Sequence, residues 1–239
     1  MTVETKRAIK YLEKFSNQEF DNDRQIVFLT DSKGTHLKRQ QKYLNIRHGS
    51  VTWFNVGSRQ SLTGLEFITN EIDKLSKKYT AITIIFWHGT CDVSRKIARH
   101  IFPRYANTEQ AAGPAREIFD KLDSLISSYG NIKIYYLEIP PISIRKWNKR
   151  KEYEHWVAQS DDTINDHVRS YNSVVREHNL KTGFVSPKFE QDLTRSRKKK
   201  SQATKYSLNF NILYDGVHPS GIIAKYWLLR VFQAIEKSR

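Results

Sequence analysis

Apolar and polar segments alternate along this chain in a pattern typical of strands and helices in succession. Apolar runs suited to strands buried on both faces lie at 26–29, 81–87 and 132–139, and a fourth strand-like segment lies at 50–56. Between the strands, apolar residues recur at spacings of three and four, most clearly at 62–75, which indicates amphipathic helices. This order predicts right-handed βαβ units and a parallel, doubly wound sheet, and therefore an α/β fold.

The remaining segments complete the predicted domain. Apolar spacing within 1–23 predicts an N-terminal helix, which either docks on the domain or ends a preceding region. We expect an irregular basic segment at 94–113, a short fifth strand at 183–185 and a closing helix over 222–235. No repeat or boundary interrupts 24–239, which predicts a single domain there.

Length and cysteine content narrow the class of protein. A chain of 239 residues, 38% of them hydrophobic, is long enough for one large α/β domain with a full core. Cys91 is the one cysteine, so no intrachain disulfide can form and a reducing compartment is favoured. No apolar run reaches the length of a membrane span, and the charged N-terminal segment lacks a secretion signal. An intracellular location, cytoplasmic or nuclear, is therefore expected.

Charge points to anionic partners. The chain carries 40 Lys and Arg against 25 Asp and Glu, a formal net charge of +15. Such an excess favours nucleic acid, acidic lipid surfaces or phosphate-bearing ligands, although a basic protein can also be simply well solvated.

Polar residues of catalytic type follow several predicted strands. Ser32 comes directly after the first strand, a polar turn at 57–61 follows the second, and another at 89–92 follows the third. Just before the final helix, Asp215 and His218 lie three residues apart. A serine nucleophile needs a base to take its proton and a third group to orient that base, and one short turn can supply both.

Four short blocks carry a resemblance to a known family. Thr-Asp-Ser at 30–32, Asn-Val-Gly at 55–57, Gly-Thr-Cys-Asp at 89–92 and Asp-Gly-Val-His-Pro at 215–219 occur in order at predicted strand ends. Together they resemble the blocks of the SGNH (GDSL-type) hydrolases, over roughly 25–237. The resemblance implies a three-layer α/β/α sandwich with a central, mostly parallel sheet.

The same resemblance implies the chemistry. Ser32 would be the nucleophile of an esterase, His218 the general base and Asp215 the residue that orients His218. The substrate would be a small ester cleaved by acyl transfer to water, and no cofactor is expected. The remaining histidines lack the spacing of a metal site, so no metal is expected either.

The implied oxyanion hole departs from the family pattern. The family uses the N–H of the serine, here Ser32, a glycine N–H from the second block and an asparagine side chain from the third. Cys91 occupies the asparagine position, and the glycine position falls on Gln60, three residues after Gly57. A thiol is a weak hydrogen-bond donor. Losing one donor of an oxyanion hole costs about 2.7–4 kcal/mol of transition-state stabilisation. Two interpretations therefore remain for the site: a slow esterase, or a triad that has lost its activity. Cys91 itself is expected to be a small buried residue.

Two basic segments support the alternative that the domain binds RNA or DNA, with or without weak activity. Their candidate residues are Arg145, Lys146, Trp147, Lys149, Arg150 and Lys151 in the first, and Arg195, Arg197, Lys198, Lys199 and Lys200 in the second. Lysine and arginine neutralise phosphates, and Trp147 and Tyr206 could stack on bases. SGNH-like domains also occur in mobile-element proteins and in RNA-binding relatives without a triad. A solvated basic loop remains the other interpretation.

Overall fold

A computed structural model describes residues 1–20, 24–46, 51–55, 57, 60–155, 160–197 and 205–238. The strands are β1 (Glu19–Phe20), β2 (Gln25–Thr30), β3 (Asn45–Ile46), β4 (Val51–Asn55), β5 (Ile82–Trp87), β6 (Ser94–Ile97), β7 (His100–Pro103), β8 (Ile132–Tyr136), β9 (Thr194–Arg197) and β10 (Lys205–Leu208). The helices are α1 (Val3–Lys14), α2 (Ser32–Lys38), α3 (Ser61–Lys78), α4 (Thr90–Val93), α5 (Glu109–Ile126), α6 (Ile144–Arg150), α7 (Asp162–Leu180), α8 (Phe189–Leu193) and α9 (Gly221–Lys237).

The central sheet has the strand order β4-β2-β5-β8, and all three pairings are parallel. Every residue of β2 and of β5 is buried, as expected of apolar strands covered on both faces. In β5, the neighbouring Phe86 and Trp87 point to opposite sides. Phe86 packs on Phe119 of α5, while Trp87 packs on Trp227 of α9. Helices therefore cover both faces, and the predicted α/β/α sandwich with a parallel sheet is confirmed.

The predicted N-terminal helix is α1, and it packs on α9. The Tyr11 hydroxyl donates to Oε1 of Gln233 at 2.6 Å, and the Tyr11 ring lies edge-on to Tyr226. Glu4 is buried and pairs with Arg195 of β9. The predicted division between 1–23 and 24–239 falls at a residue outside the described ones and stays a prediction.

The predicted fifth strand at 183–185 is wrong. No strand forms there, because the backbone at and beyond the edge of β8 already has hydrogen-bond partners on α7. Asn179 pairs with both the N–H and the C=O of Tyr136, and Asn172 does the same for Ile139. The side chain of Ser186 accepts from the N–H of Glu138. Side chains thus take the place of a strand ladder.

The segment expected to be irregular also contains regular structure. Strands β6 and β7 form an antiparallel hairpin within 94–113, and α5 already begins at Glu109. The four-residue strands Ser-Arg-Lys-Ile and His-Ile-Phe-Pro are too short and lack the polar–apolar alternation that indicates a strand, which explains the omission. Among the described residues, no helix is long and apolar enough to cross a membrane.

Candidate active site

Ser32 is the first residue of α2, directly after β2. Asp31 caps this helix, since its Oδ1 accepts from the N–H of Lys33 at 2.9 Å. The turn is tight: a Cβ on Gly34 would lie 1.9 Å from Oγ1 of Thr30. As the first residue of a helix, Ser32 has an N–H without an acceptor inside the helix, which can serve an anion.

The structure brings Ser32, His218 and Asp215 together across 186 residues of chain. Ser32 Oγ lies 2.7 Å from Nε2 of His218, and Nδ1 of His218 lies 2.7 Å from Oδ2 of Asp215. The other oxygen of Asp215 accepts from the backbone N–H groups of Val217 and His218, at 3.0 and 2.8 Å. Burial would raise the pKa of Asp215, but these hydrogen bonds lower it to about 2. Asp215 is therefore a carboxylate at neutral pH.

Helix α6 supports the turn that carries His218. The Ser143 N–H donates to the carbonyl of Gly216 at 2.8 Å, and a Cβ on Gly216 would lie only 2.5 Å from the Ser143 carbonyl. Gly216 also has a φ of +97°, which favours glycine. The ammonium group of Lys146 donates to the carbonyls of Phe210 and Leu213 at 3.1 and 2.8 Å. These contacts hold the loop in place before α9 begins.

The third block forms the short helix α4 beside Ser32. Gly89 precedes it with a φ of +130°, and its Cα faces the ring of Tyr171. Asp92 is buried and accepts from the N–H and the hydroxyl of Ser61, which ties α4 to the start of α3. Burial raises the pKa of Asp92 to about 6. Both Asp31 and Asp92 thus act as hydrogen-bond acceptors, as their positions in the sequence indicated: Asp31 within its own turn, and Asp92 between α4 and α3.

The implied oxyanion donors lie at three different places. Cys91 is half-buried in α4, and burial, followed by the Asp31 carboxylate, raises the pKa of its thiol to about 11. At neutral pH this thiol is neutral, so it is a weak donor rather than a nucleophile. Gln60 caps α3, and Gly57 is exposed in a turn whose neighbours 56, 58 and 59 lie outside the described residues. None of the three hydrogen-bonds to Ser32 or His218 within the described chain.

Two side chains near Ser32 gave no signal in the sequence. Lys33 is fully buried, where its ammonium pairs with Asp31 and donates to the hydroxyl of Thr90. His36 stacks on His218, with ring centroids 4.9 Å apart and planes 20° from parallel. A lysine and a histidine in a polar helical segment normally face solvent, so only the packing shows these roles.

The first basic segment lies next to the His218 turn. The guanidinium of Arg150 sits 4.3 Å above the Tyr214 ring and donates to the Tyr214 carbonyl at 3.0 Å. The Trp147 ring lies 6.0 Å from that of His218, and its Nε1–H donates to the carbonyl of Arg99. The Lys151 ammonium lies 5.6 Å from the centre of the Trp147 ring. Aromatic and carbonyl groups of the protein itself therefore engage much of this segment.

The second basic segment is described only in part. Arg195 pairs with the buried Glu4 at 3.2 Å, and Arg197 belongs to β9. Lys198, Lys199 and Lys200 lie outside the described residues. Within the described ranges, no cluster of three or more His, Cys, Asp or Glu residues could hold a metal ion.

Comparisons with solved structures show what this arrangement resembles. The chain is similar to a candidate acylhydrolase from Bacteroides fragilis NCTC 9343, with 13% identity, a TM-score of 0.54 and 100% of both chains covered. It is also similar to a lipase/acylhydrolase from Enterococcus faecalis, with 19% identity, a TM-score of 0.47, and 90% of this chain and 95% of that one covered. A candidate GDSL-like lipase from Parabacteroides merdae ATCC 43184 gives 14% identity and a TM-score of 0.47, over 92% and 99% of the two chains.

At these identities the likeness is one of fold. The match at a TM-score of 0.54, together with the parallel sheet order, shows an SGNH hydrolase-like fold, so that prediction from the ordered blocks is confirmed. No protein-family model matches the chain, and no curated protein matches it.

Proposed function

We propose that this protein is a serine ester hydrolase of the SGNH type that transfers the acyl group of a small ester to water. The observation that carries the proposal is the continuous chain of contacts from Ser32 through His218 to Asp215, with both distances at 2.7 Å. A serine, an imidazole and an ionised carboxylate in this arrangement are what acyl transfer requires.

The proposed reaction has two halves. The Ser32 hydroxyl attacks the ester carbonyl while Nε2 of His218 takes its proton, and Asp215 stabilises the imidazolium through Nδ1. When the tetrahedral intermediate collapses, His218 returns that proton to the departing alcohol and an acyl-serine remains. His218 then takes a proton from water, which attacks the acyl group, and the acid leaves as Ser32 regains its proton.

The site is expected to stabilise the oxyanion of the tetrahedral intermediate only weakly. The N–H of Ser32 at the start of α2 is one donor in the proposal, and backbone N–H groups at Gly57 or Gln60 are others. Cys91 would supply a neutral thiol where an amide would donate strongly. We therefore expect slow turnover, about 100- to 1000-fold below a site with all donors present.

Hydrolysis of a short-chain aryl ester tests the proposal. The wild-type chain should hydrolyse it, Ser32→Ala should abolish the activity, and Cys91→Asn should raise kcat because an amide donor replaces the thiol. Ser173→Ala, which changes an exposed serine on α7, is the matched control and should leave the rate as it was. Unchanged hydrolysis by Ser32→Ala would refute the role of this serine.

A groove beside α6 favours nucleic-acid binding as a second candidate function. It has a volume of about 510 Å³, and four cations line it against one carboxylate. The cations are Arg145, Lys146, Lys149 and Arg150, and the carboxylate is Asp161. Asp161 accepts from the Ser143 hydroxyl at 2.7 Å and keeps its charge, so four cations against one carboxylate leave the groove with an excess of positive charge. Phosphate groups would neutralise this charge.

Titration of a labelled single-stranded oligonucleotide over a series of salt concentrations tests this second candidate. Affinity should fall steeply with salt, and Lys149→Ala should reduce the slope of log K against log salt by about 0.7, one phosphate contact. Lys74→Ala removes an exposed lysine on α3 and should not change the slope beyond its effect on net charge. No affinity at low salt would exclude this function.

The cellular setting forms part of the same proposal. We place the protein inside the cell, in the cytoplasm or nucleus, because a chain with a single cysteine forms no intrachain disulfide and needs no oxidising compartment. Fractionation of cells that express a tagged chain tests this, and recovery in the secreted fraction would contradict it.

A further inference from the structure

His36 lies one helical turn after Ser32 on α2, on the side that faces the His218 turn. Its ring stacks on that of His218, with centroids 4.9 Å apart and an angle of 20° between the planes. Both nitrogens of His218 are already engaged, by Ser32 and by Asp215. His36 therefore contacts the face of the imidazole and leaves its hydrogen bonds intact.

The surroundings of His36 favour its neutral ring, and burial contributes most. Burial lowers the pKa of His36, and His218 and Arg39 lower it further, while the Asp215 carboxylate opposes them. A neutral ring can attract an adjacent imidazolium through its π face, whereas a protonated ring repels it. The stack thus favours the imidazolium of His218 only while His36 is uncharged.

We propose that His36 is a positioning residue for His218: its neutral ring holds the imidazole in line with Ser32, and its protonation in acid turns that support into repulsion. The rate-based part of this inference rests on the proposed esterase function. The orientation of the His218 ring does not, since it can be observed without any substrate.

The pH dependence follows from the two rings acting as a pair. As pH falls, protonation of His36 weakens His218 as a base, and protonation of His218 itself removes the base. Because the two positive charges repel, the second protonation is delayed, so log kcat/KM should fall with a slope of about one at first and steepen at lower pH, where both rings are protonated. His36→Phe keeps an aromatic face without a charge, and its acid side should have a slope of about one.

Variants at residue 36 separate support from charge. His36→Ala should lower kcat on the order of 10-fold at neutral pH with little change in KM, because a loosened base is misaligned with the nucleophile. His36→Phe should recover most of that loss. His155→Ala changes an exposed histidine near Tyr153 and should behave as the wild type.

A measurement without substrate distinguishes this inference from the esterase proposal. The proton shared by Nδ1 of His218 and Asp215 should give a low-field NMR signal in the wild type and in His36→Phe, and a broadened or absent one in folded His36→Ala. Wild-type kcat, pH profile and NMR signal in His36→Ala would overturn the inference. So would folded His36→Phe that is as impaired as His36→Ala. If the wild type lacks esterase activity, the NMR comparison decides alone.

Discussion

The ammonium group of Lys33 lies fully buried beside the candidate nucleophile. It pairs with Asp31, donates to Thr90 and lies 5.3 Å from the centre of the Trp87 ring. Burial would raise the pKa of Asp31, but Lys33, and to a smaller extent His88, bring it below its usual value. Asp31 is therefore a carboxylate at neutral pH, and its contact with Lys33, which also donates to Thr90, connects the turn that carries Ser32 with the start of α4. At the residue scale, a buried ion pair sets the position of the nucleophile relative to the third block.

Replacing Lys33 with methionine should destabilise the protein strongly. Lys33→Met leaves the Asp31 carboxylate buried without a countercharge, and breaking such a pair costs about 3–5 kcal/mol of the free energy of unfolding. Lys33→Met with Asp31→Asn should recover most of that loss, because asparagine also caps a helix and carries no charge. Urea unfolding of the three proteins measures this. A double variant no more stable than Lys33→Met would contradict the explanation.

Helix α7 replaces a strand at the edge of the sheet. Three asparagines on α7, each seven residues after the last, pair with the N–H and C=O of one backbone residue apiece, at distances of 2.7 to 3.0 Å. The pairs are Asn165 with Ile142, Asn172 with Ile139, and Asn179 with Tyr136. Spacing by seven keeps the three on one helix face. At the element scale, these amides complete the edge of the sheet and position the segment that leads to α6.

Asn172→Leu should be markedly destabilising. Leucine fills the space but leaves the N–H and C=O of Ile139 buried without partners, at about 1–3 kcal/mol for each group. Asn70→Leu, at an exposed position of α3, is the control for helix propensity and should change the free energy of unfolding by less than about 0.5 kcal/mol. Urea unfolding compares the two. Equal effects would show that the amide pairing contributes nothing specific.

For the molecule as a whole, the free energy of unfolding depends on pH through two aspartates whose pKa values are shifted in opposite directions. The pKa of Asp215 is lowered to about 2, so its stabilising contribution is present above the usual aspartate range and is lost as pH falls toward 2. Burial raises the pKa of Asp92 to about 6, so the folded protein binds a proton that the unfolded chain has already released. Stability from Asp92 therefore falls as pH rises from about 4 to 6.

The substitution Asp92→Asn should remove the loss of stability that Asp92 causes as pH rises. Its free energy of unfolding relative to the wild type should increase between pH 4 and pH 6.5, by up to about 3 kcal/mol, because the amide is never charged. Urea unfolding at pH 4, 5, 6 and 6.5 measures the difference, in which contributions from other groups cancel. A difference that does not vary with pH would mean that Asp92 titrates in its ordinary range.

Much of the fold was predictable from sequence because it depends on local patterns. The apolar runs of β2 and β5 indicate strands buried on both faces, and alternation with helices makes the sheet parallel. In such a sheet the carboxyl ends of the strands share one edge, so ordered polar blocks at those ends already nominate Ser32, Asp215 and His218 as one site. Those roles remain a proposal, although the three side chains do meet.

Contacts between distant segments depended on packing that no local pattern encodes. Lys33 and His36 lie on α2, and nothing in the composition of this polar segment separates a buried ion pair or a ring stacked on His218 from a solvated surface. The same limit explains the wrong strand at 183–185, since the partners of that sheet edge come from α7 through asparagine side chains. Side-chain packing in three dimensions determines such partners, because residues far apart in sequence compete for the same buried polar groups.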